Sequence, residues 1–192
     1  MYLLMGAAWV WGFTRMGPLL GISARDDVVE RGNGAAAVAV AGSLLGLTLC
    51  FGGANVGDGP GWWVVVISAA LATGSLFACW LLLEAATGVS EAVTVERDPG
   101  AGLRLAGFLA AAGLVLGRGV AGDWVSADGL MRDFLASIWP LVLIVLMAAL
   151  IERVLRPAPL RALPSLLLRG WVPAALYLGA AVVLVVRLGM PR

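Results

Sequence analysis

The chain has no histidine and no lysine, and only 13% of its residues are charged. Without histidine there is no H-E-x-x-H zinc motif and no nucleophile activated by an imidazole. Without lysine there is no Ser-Lys dyad and no phosphate-binding lysine of a P-loop. All 13 basic residues are arginine, and the net charge is +1. A nucleic-acid binder needs clustered surplus positive charge, so nucleic acid is excluded as a partner. Cysteine is scarce too. Cys50 and Cys79 are too few for a disulfide framework or a metal site without further ligands, and both read as small buried apolar residues. Gly119-Val-Ala-Gly-Asp123 superficially resembles the Gly-x-Gly-Asp of intramembrane aspartyl proteases. Its spacing differs, it falls at a helix end, and no second buried aspartate accompanies it. The sequence therefore reads as a non-enzyme, with no catalytic, cofactor-binding or metal-ligating residues.

What the chain does have is apolar length. Hydrophobic residues make up 61% of it and its mean hydropathy is +0.96, against about 45–50% apolar residues in a soluble domain. A transmembrane helix takes roughly 20 mostly apolar residues. Windows of that kind occur near Tyr2–Ile22, Gly34–Val56, Trp62–Ala86, Gly100–Ala121, Phe134–Val154 and Trp171–Leu188. The expectation is an all-α polytopic membrane protein of about six transmembrane helices, forming a single membrane domain over residues 1–192. The segments around Ala24–Asn33, Val89–Pro99, Gly122–Asp133 and Leu155–Gly170 are left outside. Residues 1–20 carry their first charge, Arg15, after the apolar run rather than before it, so they read as a retained first helix rather than a signal peptide.

The chain also repeats itself. VERGNGAAAVAVAG at Val29–Gly42 matches VERDPGAGLRLAG at Val95–Gly107. Both place Val-Glu-Arg and turn residues before a Gly/Ala-rich helix. Each is preceded by an apolar helix and followed by a glycine-containing loop with Asp58 or Asp123. A fainter third copy starts at Arg169. The expected units are parallel helical hairpins at about 1–60, 61–125 and 126–192, unlike the inverted repeats of many transporters. Orientation follows from arginine. Arg25, Arg31, Arg97, Arg104, Arg153, Arg156, Arg161 and Arg169 fall on one side, and Arg118, Arg132, Arg187 and Arg192 on the other. This puts the Val-Glu-Arg segments in the cytoplasm and both termini outside. Trp62, Trp63 and Trp124 read as interfacial anchors on the outer side.

Small residues mark the packing faces. Gly42 and Gly46 in the second span, and Gly102 and Ala106 in the fourth, lie four apart, which lets helix backbones approach closely. Spans two and four are therefore expected at the centre. Ionisable residues inside spans are the usual pointers to function. Arg104, Glu84 and Glu152 lie close enough to the cytoplasmic ends of their spans to snorkel. Arg15 is deeper, with Glu84, or failing that Glu152, as its expected partner. The Leu155–Gly170 loop is expected on the cytoplasmic membrane surface, with its arginines near anionic head groups.

RGNGAAAVAVAGSLLG (Arg31–Gly46), with Gly32-Asn33 ahead of Ala35, Ala36, Ala37, Gly42 and Gly46 and the acidic residues Asp26, Asp27 and Glu30 before it, resembles the signature of the YjfL-like family. The likeness covers roughly residues 1–122. In the second copy Asp98-Pro99 replaces Gly-Asn, and the hairpin after Trp124 exceeds the family's usual four spans. The resemblance implies a bacterial inner-membrane protein of unknown function, often encoded near a PspA-like membrane-remodelling protein. It carries over no catalytic residues. The leading expectation is a non-enzymatic scaffold or docking partner in the lipid bilayer, acting in envelope maintenance. Its contact surface would be Glu30, Arg31, Gly32, Asn33, Glu96 and Arg97, and its partner a membrane or cytoplasmic protein or a second copy of the chain. The alternative is a small transporter or channel subunit with Arg15 and Asn33 near a polar path.

Overall fold

The computed structural model describes residues 1–156 and 164–189, and within them every regular element is helical. Helix α1 (Tyr2–Thr14) is followed by a 3-10 turn at Gly17–Leu20 and a π-helical segment at Ala24–Glu30. Then come α2 (Gly34–Gly53), α3 (Trp62–Thr87), the short α4 (Val89–Thr94) and α5 (Pro99–Val120). Next are α6 (Ala127–Ile138), α7 (Leu141–Leu155), a π-helical turn at Leu167–Trp171 and α8 (Val172–Leu188).

Two of the long helices, α2 and α5, begin where a side chain caps them. Asn33 accepts from the amides of Ala35 and Ala36 at the start of α2. Asp98 does the same for Gly100 and Ala101 at the start of α5, with Pro99 in the first turn, where its missing N–H costs nothing. Gly88, at φ +62°, turns the chain sharply between α3 and α4.

The chain runs back and forth between two ends. At one end lie the Val-Glu-Arg segments, with Gly21 against the side chain of Ser90 and Arg153 bonded to Ala86. At the other lie the Gly57-Asp58 and Gly122-Asp123 loops, with Tyr2 and Leu3 beside them and Arg118 bonded to Gly189. Helices α2, α3, α5 and the Leu167–Arg187 stretch are each long and apolar enough to cross a bilayer. A fifth crossing is reached if α6 and α7, bent by 43° at their junction, count as one.

Two of the six expected windows thus depart from a single straight span. The first breaks at Thr14, because Pro18 has no N–H to give a helix and disfavours helical backbone before it. Thirteen residues at about 1.5 Å each reach only about 20 Å of a roughly 30 Å hydrocarbon core. The fifth starts earlier, at Ala127 rather than Phe134, and bends at Trp139-Pro140 for the same reason.

The centre also differs from expectation. The span window of α5 is 83% buried, whereas α2 is 44% buried, no more than α3. α5 alone is the hub, touching α2, α3, α6, α7 and α8. Its contact with α2 is backbone to backbone. A methyl group placed on Gly46 would sit 2.5 Å from the carbonyl oxygen of Leu109, and one on Gly102 would sit 2.5 Å from that of Ala35. Gly42 faces Ala106 more closely still. The opposite side of α5 meets α8, where a methyl on Gly107 would fall 2.6 Å from the α-carbon of Ala174. The small side chains of α5 allow these approaches, and van der Waals contact then holds helices that lipid would not drive together.

Candidate functional site

The polar residues gather at the Val-Glu-Arg end in two layers. The outer layer is built by the two segments that precede α2 and α5. In both, a left-handed residue comes just before the capping residue: Gly32 at φ +61° before Asn33, and Arg97 at φ +52° before Asp98. That conformation is uncommon for a residue with a side chain. In both, the amide of the capping residue donates back to a short helical turn, Asn33 to the Asp27 carbonyl and Asp98 to that of Ala92. Asn33, 1% exposed, also ties the two segments together by donating to the carbonyl of Val93 at 2.8 Å.

These cross-links bring Val29-Glu30-Arg31 and Val95-Glu96-Arg97 to the same end with their side chains outward. Val29 is 77% and Val95 74% exposed. Glu30 pairs with Arg25 at 3.2 Å, and Arg31 with the buried Asp27 at 2.9 Å. Glu96 and Arg97 are exposed and form no ion pair among the described residues.

The inner layer is a buried ionic cluster. Arg104 is 1% and Glu152 3% exposed. The guanidinium of Arg104 grips the Glu152 carboxylate with two parallel bonds of 2.6 Å. Its remaining nitrogen donates to the backbone carbonyl of Arg169 at 2.7 Å, and Asp98 lies 3.7 Å away. Arg169 in turn pairs with Asp98. Two cations and two anions from α5, its N-cap, α7 and the turn before α8 thus neutralise one another. A fork-to-fork pair of this kind is the strongest form of charge-assisted hydrogen bond. Tyr177 of α8, within electrostatic reach of Arg104 and Glu152, buries its hydroxyl with no hydrogen-bond partner among the described residues.

This geometry corrects several expectations. Arg104 and Glu152 do not snorkel; they pair in the interior, because α5 is buried all round and gives Arg104 no route out. Arg169 turns inward to Asp98 rather than toward head groups, and Arg156 bonds to Thr87 and Glu91. Arg161 lies outside the described residues. Arg15 contacts neither Glu84 nor Glu152. It caps the broken end of α1 on the exposed surface, its guanidinium 4.5 Å from the centre of the Trp11 ring. Glu84 is taken by the amide and hydroxyl of Ser90, at 2.8 and 2.6 Å.

Sequence reasoning missed Asp98, Arg169 and Tyr177 as members of a cluster. Asp98-Pro99 before a helix was a legible N-cap signal, but its pairing depends on how α8 packs. Cys50 and Cys79 are unpaired thiols, and no group of side chains fit to hold a metal occurs among the described residues. In comparisons with protein-family models, with curated proteins and with solved structures, the chain matches none.

Proposed function

We propose that the protein is a non-enzymatic scaffold of a bacterial inner membrane that docks a partner on its paired Val-Glu-Arg segments. In this reading the chain makes six passes as parallel helical-hairpin repeats, the first completed by the turns that follow the short α1, with both termini outside and the docking face in the cytoplasm. Membership of the YjfL-like family and a role in envelope maintenance belong to the same reading. The observation that carries it is the exposure of Val29 and Val95 on two segments fixed side by side by Asn33. An apolar side chain held in water among charges on a braced backbone suits a contact surface. The matching left-handed turn, cap and small-residue helix in the two copies support the repeat.

Transport has weaker support. The α2–α5 contact is too close to leave a polar path between these helices. A cavity of about 550 Å³ opens at the opposite end. Along α3 it reaches in to Ser68, about 9 Å from the start of the helix at 1.5 Å per residue. The test is assembly size in gently solubilised native membranes. Wild-type protein is expected in a complex larger than that formed by the Val29→Asp/Val95→Asp variant, with thermal unfolding of the purified proteins unchanged. Equal sizes would remove the docking reading, and cross-linking between two tagged copies distinguishes self-association from a different partner.

A further inference from the structure

The end opposite the Val-Glu-Arg segments holds a cavity of about 550 Å³. Pockets for small ligands run from about 300 to 1,000 Å³. Its rim is made by two similar loops bonded to each other. Gly122 donates to the Val56 carbonyl at 2.9 Å, and Trp124 to that of Asp58 at 2.8 Å. The amide of Asp58 donates to the Asp123 carboxylate at 2.8 Å. Gly57 and Gly122 take φ of +110° and +138° and meet so closely that no side chain fits between them. The rim is therefore a braced structure.

Its charge is of one sign. Asp58, Asp123 and Asp133 line the cavity, and among the described residues no basic one does. None of the three forms an ion pair among the described residues. A cation entering this opening is attracted by all three charges. A second feature points inward. Ser68 of α3, 3% exposed, lines the same cavity, and its hydroxyl makes no hydrogen bond among the described residues. A serine inside a helix ordinarily bonds back to a carbonyl one turn earlier, as Thr73 does. Ser68 leaves its hydroxyl for whatever fills the space. Between base and rim the walls are apolar and aromatic, with Val64, Val65, Phe51 and Trp124.

We propose that this cavity binds a small organic cation, its ammonium group among the aspartates and its hydrocarbon part against the valines and aromatic rings. A bare metal ion fits less well, because no group of side chains able to hold one occurs among the described residues. The walls suit an alkylammonium, and aromatic faces attract such cations. The ammonium could be that of a free amine or of a lipid head group. The inference is independent of the docking face, which lies at the other end.

Calorimetric titration of the full-length protein in a maltoside detergent with choline chloride tests it, with sodium chloride at equal ionic strength as the blank. Saturable binding is expected for the wild type. Asp58→Asn/Asp133→Asn should weaken it about tenfold or more, and Ser68→Leu, which fills the base, should abolish it, both with unchanged thermal unfolding. Repeating the titration in nanodiscs identifies the source. Saturation in both phosphatidylcholine and phosphatidylglycerol discs means a free cation. Saturation in phosphatidylglycerol alone means that a choline head group already occupies the cavity in the other. No saturable binding in any medium, equal binding by the doubly substituted protein, or an equal response to calcium chloride would overturn the proposal.

Discussion

Arg104 and Arg15 both sit within apolar helical sequence, yet one is 1% exposed and the other lies on the surface. The difference comes from their neighbours. Arg104 lies on a helix surrounded by others and reaches a carboxylate that α7 brings alongside. Arg15 lies where Pro18 breaks the first helix, and it finds a tryptophan face instead. The Arg104–Glu152 pair is therefore the more consequential. Removing one partner from a buried pair leaves an uncompensated charge and typically costs about 3–5 kcal/mol. Glu152→Leu should destabilise the protein by that order in thermal or chemical unfolding. The double replacement Arg104→Leu/Glu152→Leu should recover much of the loss, since apolar substitutes for buried ion pairs are often near neutral. Equal destabilisation by both variants would mean that the pair's remaining bonds, to Arg169 and Asp98, matter more than the charge. At this scale the sequence placed Arg104 and Glu152 within apolar windows but did not show that they meet. Their meeting depends on the packing of α7 against α5, which no periodicity records. The Arg15 expectation failed because it counted the first window as one unbroken helix.

At the scale of the element, glycine separates two kinds of position. Gly46 of α2 has the Leu109 carbonyl where a side chain would go, while Gly52 of the same helix and Gly74 of α3 face open space. Gly46→Leu should force α2 from α5. Overpacking a tight contact costs about 1–3 kcal/mol, and a lower melting temperature in detergent is the expected result. Gly52→Ala and Gly74→Ala should be neutral or raise stability by up to about 1 kcal/mol through helix propensity. A Gly46→Leu protein as stable as these would place that face away from α5. The four-residue spacing of Gly42/Gly46 and of Gly102/Ala106 made such a face readable in advance. What spacing could not supply is the hierarchy among helices. Glycines on more than one side of α5, with Gly102 toward α2 and Gly107 toward α8, are the residues that let it be enclosed.

For the whole molecule, the arrangement of ends is the feature to test. Single cysteines at Glu96 and at Gly59, in a background without Cys50 and Cys79, sit at opposite ends of the bundle. With the Val-Glu-Arg segments in the cytoplasm, an impermeant thiol reagent should label the Gly59 position in intact cells and leave the Glu96 position unlabelled until the cells are opened. The reverse pattern would invert the proposed topology. All-helical architecture and apolar length were legible in composition alone. The number of complete crossings was not, because it turns on two prolines, Pro18 and Pro140, that interrupt otherwise unbroken hydrophobic runs.

The parallel contact between α2 and α5 also sets an order of assembly. Two helices pointing the same way must have a return passage between them, so the glycine face of α2 is synthesised before α3, and its partner only after α3 and α4 are complete. During that interval the face is finished but unmatched. A nascent chain at this stage exposes a surface shaped for another close-packed helix, and a second nascent chain carries the same one. Arrival of α5 closes that face within the same chain.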